Sequence, residues 1–276
     1  MLIFEKMNHK TRRRKTGKII SGLIILYLAG GVVLYFLQDK ILFHPKALPK
    51  NHSFSFEQAF EELNLPFGKE NISILKFKPP NQRKGIVLFY HGNMENAEHY
   101  KKYPVFFLRN GYELWMIDYP GFGKTTGRRS EKIIYTQALI LYTLASEQTH
   151  WDSILIYGKS IGTGIASYVA ANKKSRQLIL ESPYYGIDAL AKHYFPMYPV
   201  SLMSKYSFPI HTYLKQVKVP ITILHGTNDE IIPYNQSKRL KKENPEIQLV
   251  GIEKGKHNNL SNFSLFQSTL DSLLQH

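Results

Sequence analysis

An α/β fold, a mostly parallel sheet covered by helices on both faces, is what this 276-residue sequence predicts. Three observations carry that expectation. Short apolar runs without polar alternation recur from residue 85 onward, as strands buried on both faces require. Segments with helical spacing separate them. One run, Ile154-Leu155-Ile156-Tyr157, passes straight into Gly158-Lys159-Ser160-Ile161-Gly162, a strand-to-helix corner with a serine between two glycines.

Composition narrows the classes. A hydrophobic content of 43% with 13% aromatic residues supports one domain with a full core behind a short membrane-anchored head. There are no cysteines, which excludes disulfides, thiolate metal sites and a cysteine nucleophile. The net charge of +15 is uneven: residues 1–18 carry seven Lys/Arg against Glu5, a net +6, which leaves +9 spread over the rest. No zinc-finger, RNA-binding or helix-turn-helix pattern accompanies it, so an anionic membrane surface fits the charge and no nucleic-acid partner is expected.

In chain order, residues 1–18 form a basic tail and residues 19–37 an uncharged run of Ile, Leu, Val and Gly. At 1.5 Å per residue that run spans roughly 28 Å of helix, close to the hydrocarbon thickness. Ala29-Gly30-Gly31 resembles a signal-cleavage site, yet the run continues through Val32 to Leu37, and an uncleaved anchor accounts for that better. The excess of Lys/Arg ahead of the span predicts a cytoplasmic N-terminus and the folded mass across the membrane, periplasmic in a bacterium. Residues 38–70 read as a lead-in: Phe43-His44-Pro45 and Leu48-Pro49 as a linker on the surface, and Phe54–Leu63 with partial helical spacing. The main domain is expected over 71–276. Its strands fall at 72–77, 86–90, 112–118, 153–157, 177–181, 221–225 and 247–252. Helical spacing runs to about Asn110, and helices are predicted over 131–146, after the serine corner, over 234–242 and over 263–274. Residues 184–219, rich in Tyr, Phe, Met and Pro, occupy the place of a short cap.

Ligands of such sheets sit beyond the carboxyl ends of the strands. The positions there include Asn93, Tyr119, Ser160, Ser182, Asp229 and His257. A serine hydroxyl is too weakly acidic to attack a carbonyl unaided; an imidazole must take its proton and a carboxylate must orient the imidazole. Ser160, Asp229 and His257 meet those needs, and the backbone N–H of Ile161 is placed to hold a developing oxyanion. Glu230, Asp188 and Asp152 are rival acids, while His276 is the only other histidine after Asp229. His91 and His225 precede glycines at strand ends, where anchoring a loop is the expected task. No His-Glu-x-x-His or clustered carboxylate pattern occurs, so neither a metal nor a cofactor is expected.

From about residue 70 onward the chain resembles serine hydrolases of the α/β-hydrolase superfamily. The resemblance rests, in order, on HGN at 91–93, DYPGFGKTTG at 118–127, GKSIGTG at 158–164, HGTNDEIIP at 225–233 and GKHNN at 255–259. With the N-terminal span and the following ILFHP, it extends to the membrane-anchored α/β-hydrolase-domain proteins of the serine aminopeptidase-like and monoacylglycerol-lipase-like branch. It implies an α/β-hydrolase fold with a short cap, preceded by one transmembrane helix. It implies Ser160 as nucleophile, Asp229 as triad acid, His257 as general base, and an oxyanion hole from the N–H groups of Ile161 and Asn93. Met94-Glu95 departs from the family's small residues, which leaves the second donor between Asn93 and Met94. Tyr119, Tyr184 and Tyr185 are expected at the substrate, a small-molecule acyl compound such as an ester or thioester. An aminopeptidase or amidase would use the same triad and need a carboxylate for a free amine, with Glu95 or Glu181 available. A catalytically silent binding protein on the same fold would show a broken triad; this triad is whole in the sequence.

Overall fold

The computed structural model describes residues 2–275, with side chains from Thr16 onward; the basic side chains up to Lys15, and His276, lie outside the described residues. Eight strands build one sheet: β1 (Phe60–Phe67), β2 (Glu70–Phe77), β3 (Gly85–Tyr90), β4 (Tyr112–Ile117), β5 (Ile154–Lys159), β6 (Gln177–Glu181), β7 (Ile221–Gly226) and β8 (Gln248–Ile252). Their order across the sheet is β1-β2-β4-β3-β5-β6-β7-β8. Pairing is parallel from β4 through β8, and antiparallel where β2 meets β1 and β4.

Every residue of β3, β4, β5, β6 and β7 is buried, as the unalternating apolar runs require. Successive side chains divide between two cores. Ile86, Leu88 and Tyr90 face one with Ile154 and Ile156, and Val87 and Phe89 face the other with Leu155 and Tyr157. The first core is covered by α3 (Glu131–Ser146) and α4 (Gly162–Asn172), the second by α2 (Pro104–Leu108) and α9 (Ser264–Gln275). Ser130 caps α3, its hydroxyl accepting from the Ile133 N–H. Between β6 and β7 lie the cap helices α5 (Ile187–Tyr194), α6 (Val200–Met203) and α7 (Ile210–Tyr213), and α8 (Asn235–Glu243) precedes β8.

Ahead of the sheet, α1 (Leu2–Leu42) is one helix, and its segment Thr16–Leu42 is long and apolar enough to cross a membrane.

Two readings of the sequence are corrected and a third is extended. Phe54–Leu63 is not helical: it runs extended into β1, which closes a hairpin with β2 across Gly68-Lys69. Its closely spaced phenylalanines imitate a helical face, but Phe56 and Phe60 instead pack on Phe77 of the neighbouring strand. Helical spacing toward Asn110 breaks into a 3₁₀ turn over Ala97–Tyr100 and the short α2, because Pro104 can only begin a helix. The lead-in after α1 lies on the surface, with His44 to Ala47 exposed, but it is more than a linker. Phe43 is buried against Phe122 and Tyr206, and His44-Pro45 pair in parallel with Met94-Glu95.

Candidate active site

β5 delivers Ser160 to the carboxyl edge of the sheet with φ +52°, a left-handed backbone that costs a non-glycine residue energy. The corner exists because its flanks carry no side chain. A Cβ on Gly162 would lie 2.0 Å from the Tyr90 carbonyl oxygen, and one on Gly158 2.6 Å from that of Gly162. The Ser160 N–H donates to the Glu181 carbonyl (2.9 Å) and its carbonyl accepts from the Thr163 N–H (2.9 Å), which ties the turn to β6 and α4.

The loops after β7 and β8 bring the other two groups. His257 Nε2 lies 2.9 Å from Ser160 Oγ, and His257 Nδ1 lies 2.8 Å from Asp229 Oδ2. Asp229 is held from two sides. Its Oδ1 accepts the N–H groups of Ile231 (2.9 Å) and Ile232 (2.7 Å). Its Oδ2 is also 3.2 Å from His225 Nε2, which lies 2.9 Å from the Ile232 carbonyl. Two acceptors at one nitrogen place the His225 proton on Nε2, so Nδ1 accepts from the Ser237 hydroxyl (2.6 Å). Burial pushes the Asp229 carboxyl up, but hydrogen bonds from His225, His257 and the Ile232 N–H outweigh it and hold the group well below the usual carboxylate range. A carboxylate accepting from Nδ1–H leaves the Nε2 lone pair of His257 aimed at the serine hydroxyl.

The rival acids stand elsewhere. Glu230 accepts from the His257 backbone N–H (3.4 Å), Asp152 pairs with exposed His150 (3.0 Å) before β5, and Asp188 opens α5 in the cap.

Asn93 and Ile161 line one cavity with the serine. Among the described residues the Ile161 N–H meets no acceptor, nor does that of Asn93, whereas the Met94 N–H already donates to the Tyr100 hydroxyl (3.3 Å). Of the two candidates for the second donor, Asn93 is therefore the free one. The Asn93 loop is fixed by the lead-in: its side-chain amide donates to the Leu42 carbonyl (3.1 Å), and its own carbonyl accepts from the His44 N–H (2.9 Å). His91 anchors the same loop from below, fully buried and 3.1 Å from Asp118.

A cavity of about 200 Å³ opens beside Ser160, with walls from Asn93, Ile161, Tyr184 and the cap residues Ile187, Leu190 and Phe195. Tyr184 lines it and donates to the Ile161 carbonyl (3.3 Å). Tyr119 and Tyr185 do not. Tyr119 is buried against the His91 ring and donates to the His91 carbonyl (2.8 Å). Tyr185 turns away to Glu243 (2.7 Å), sandwiched by His211 and Arg239. Among the described residues no carboxylate lines the cavity. Glu95 is bound to Lys46 outside it, and Glu181 is buried beneath the corner.

That buried Glu181 belongs to a group the sequence analysis did not assemble. Lys159 and Glu181 are register partners on β5 and β6, with Nζ 2.5 Å from Oε1, and Nζ also donates to the His257 carbonyl (3.2 Å). The Tyr103 hydroxyl (2.9 Å) and that of Tyr157 complete the carboxylate's shell. Burial raises the Glu181 pKa, yet the Lys159 charge and these donors bring it below the ordinary value. Its signal was a lysine directly before the serine, on the face opposite the cavity. Ile41 and Leu42 were missed as well: the end of α1 forms part of the cavity wall.

The model of a family described as serine aminopeptidase, S33, matches residues 81–206. Fission yeast protein bem46 is 28% identical over 235 residues, which cover 78% of this chain and 77% of that protein. The zebrafish lysophosphatidylserine lipase ABHD12 is 27% identical over 179 residues, 56% of this chain and 46% of the lipase, so the chain spans about half of that relative's length. Among solved structures, an esterase from Pyrococcus furiosus superposes with a TM-score of 0.64 at 19% identity, covering 85% of this chain and 97% of the esterase. That likeness carries the fold.

Proposed function

We propose that this chain, a member of the α/β-hydrolase superfamily, is a membrane-anchored serine hydrolase that cleaves acyl esters through an acyl-enzyme. The observation that carries the reading is the unbroken relay Ser160–His257–Asp229, at 2.9 and 2.8 Å. His257 takes the Ser160 proton as Oγ adds to the carbonyl carbon, and Asp229 stabilises the imidazolium. The negative charge that moves onto the carbonyl oxygen is received by the N–H groups of Ile161 and Asn93, which need no reorganisation to do so. Collapse expels the alcohol with the proton from His257, and water repeats the sequence on the acyl-enzyme.

The apolar walls of the cavity suit an acyl chain. An aminopeptidase reading finds no support there, because a free amine entering that cavity would meet no carboxylate. The lysophosphatidylserine lipase among the relatives agrees with this reading, and α1 supplies the anchor.

The test is turnover of p-nitrophenyl butyrate by the full chain and by Ser160→Ala. The parent should hydrolyse the ester, and the variant should lose at least about 10³-fold in kcat while keeping its fold. Equal rates would overturn the assignment.

A further inference from the structure

α1 does more than tether, and the reading that follows rests on the proposed hydrolase activity. A second apolar cavity, of about 70 Å³, runs between α1 and the cap, lined by Leu34, Gln38, Tyr198, Val200 and Met203. Ile41, Leu42, Ile187, Ala191 and Phe195 line this cavity and also the one at Ser160. The two therefore adjoin across those five side chains, one beside the nucleophile and the next along the side of the anchor helix.

The cap is fitted to that helix. Tyr198 stacks on Tyr27 at 4.8 Å, and its hydroxyl donates to the Tyr27 carbonyl (3.2 Å). Gly30 and Gly31, part of the triplet that resembles a cleavage site, form the seat: a Cβ on Gly30 would lie 2.4 Å from the Tyr198 hydroxyl. The polar boundary of the helix is lower, where Gln38 bonds Met203 and Lys205, and Asp39 takes the Tyr206 hydroxyl (2.6 Å). Lys205 also lies over Tyr35. Aromatic rings beside a lysine mark a membrane–water interface. From Tyr35 to Tyr27 the helix rises about 12 Å, so the tip of the cap climbs well into the hydrocarbon.

The tip is built for that solvent. Residues 195–204 carry no charge, and Met197 and Leu202 are 78% and 87% exposed. Backbone polar groups in a bilayer must find partners within the protein. Pro196 and Pro199 have no N–H to satisfy. The carbonyls of Met197 and Met203 accept from Tyr27 (2.8 Å) and Gln38 (2.8 Å) of α1, and the N–H groups of Tyr198, Val200, Leu202 and Ser204 bond within the tip.

We propose that the cap tip at 195–204 is embedded in the same leaflet as the C-terminal part of α1, and that the groove between them admits the acyl chain of a membrane-resident, single-chain ester to Ser160. The anchor helix is then a wall of the substrate site. The apolar cavity between α1 and the cap, about 70 Å³, has room for one chain and not for two.

The absence of native cysteine makes the test direct. The full chain carrying Leu202→Cys or, as control, Leu265→Cys, each labelled with bimane, is reconstituted in phosphatidylcholine vesicles containing brominated lipid. Bimane at 202 should be quenched and bimane at 265 not; equal quenching, or none at 202, overturns the insertion. The groove is tested with Val200→Trp, comparing 1-oleoylglycerol in vesicles with soluble p-nitrophenyl butyrate. The ratio of the two rates should fall at least about tenfold, as expected when two methylenes lose their apolar site; an unchanged ratio overturns the groove. A parent that hydrolyses neither ester sinks the hydrolase reading itself, whereas an active parent with an unquenched tip sinks only this inference.

Discussion

The carboxylate of Asp229 is the residue on which the site's protonation logic turns. Two histidine N–H donors and two backbone N–H donors converge on it, and its pKa is lowered as a result, despite burial. A carboxyl whose folded pKa lies below its unfolded one stabilises the fold above the ordinary carboxylate range, and loses that contribution as pH falls through the lowered value. The stability gap between the parent and Asp229→Asn should therefore be full at neutral pH and narrow steadily in strong acid, by urea denaturation at a series of pH values. A gap independent of pH would contradict it. The same variant presents the wrong hydrogen-bond pattern to His257 and should lower kcat by about 10³–10⁴-fold. Residues such as Asp229, Ser160 and His257 were legible because each lies in the turn or loop after a strand, the edge where this class of sheet holds its ligands. Tyr119 and Tyr185 follow strands too and yet are packing residues. Position alone does not say which way a ring points.

At the scale of elements, the β5–α4 corner and the β5–β6 pair support each other. The corner was readable because only glycine fits at 158 and 162, whatever the rest of the chain does. The Lys159–Glu181 pair was not, because it depends on the parallel register of two strands separated by the whole of α4. That pair connects the nucleophile's strand to the His257 carbonyl, so it positions the loop carrying the base. Glu181→Gln leaves a buried ammonium without its counter-charge and should cost about 3–5 kcal/mol of stability. Replacing both residues, Lys159→Met with Glu181→Gln, should recover part of that loss in chemical denaturation, while kcat stays below the parent's because the loop has lost its tie. A single variant as stable as the parent would show that the pair carries no such strain. β1 was misread for a related reason: its half-buried residues are stabilised by ring contacts from the next strand, which spacing within the segment does not report.

For the whole molecule, three loops separated by 28 to 97 positions in sequence meet at one rim of the sheet, and a long apolar helix closes the cavity beside them. The strand order was recoverable only as a class, since apolar runs say that a strand is buried but not which neighbour it takes. The part played by α1 was hidden, because a span apolar on every side gives no sign of the face that meets the cap. Catalysis by this molecule depends on the hydroxyl at 160 being activated by its two distant partners. The most direct measurement is the site of covalent modification by a fluorophosphonate, mapped by mass spectrometry in the full chain and in His257→Ala. The expected result is one adduct, on Ser160, forming rapidly in the parent and very slowly in the variant. An adduct on another residue, or labelling of Ser160 at the same rate without His257, would contradict it.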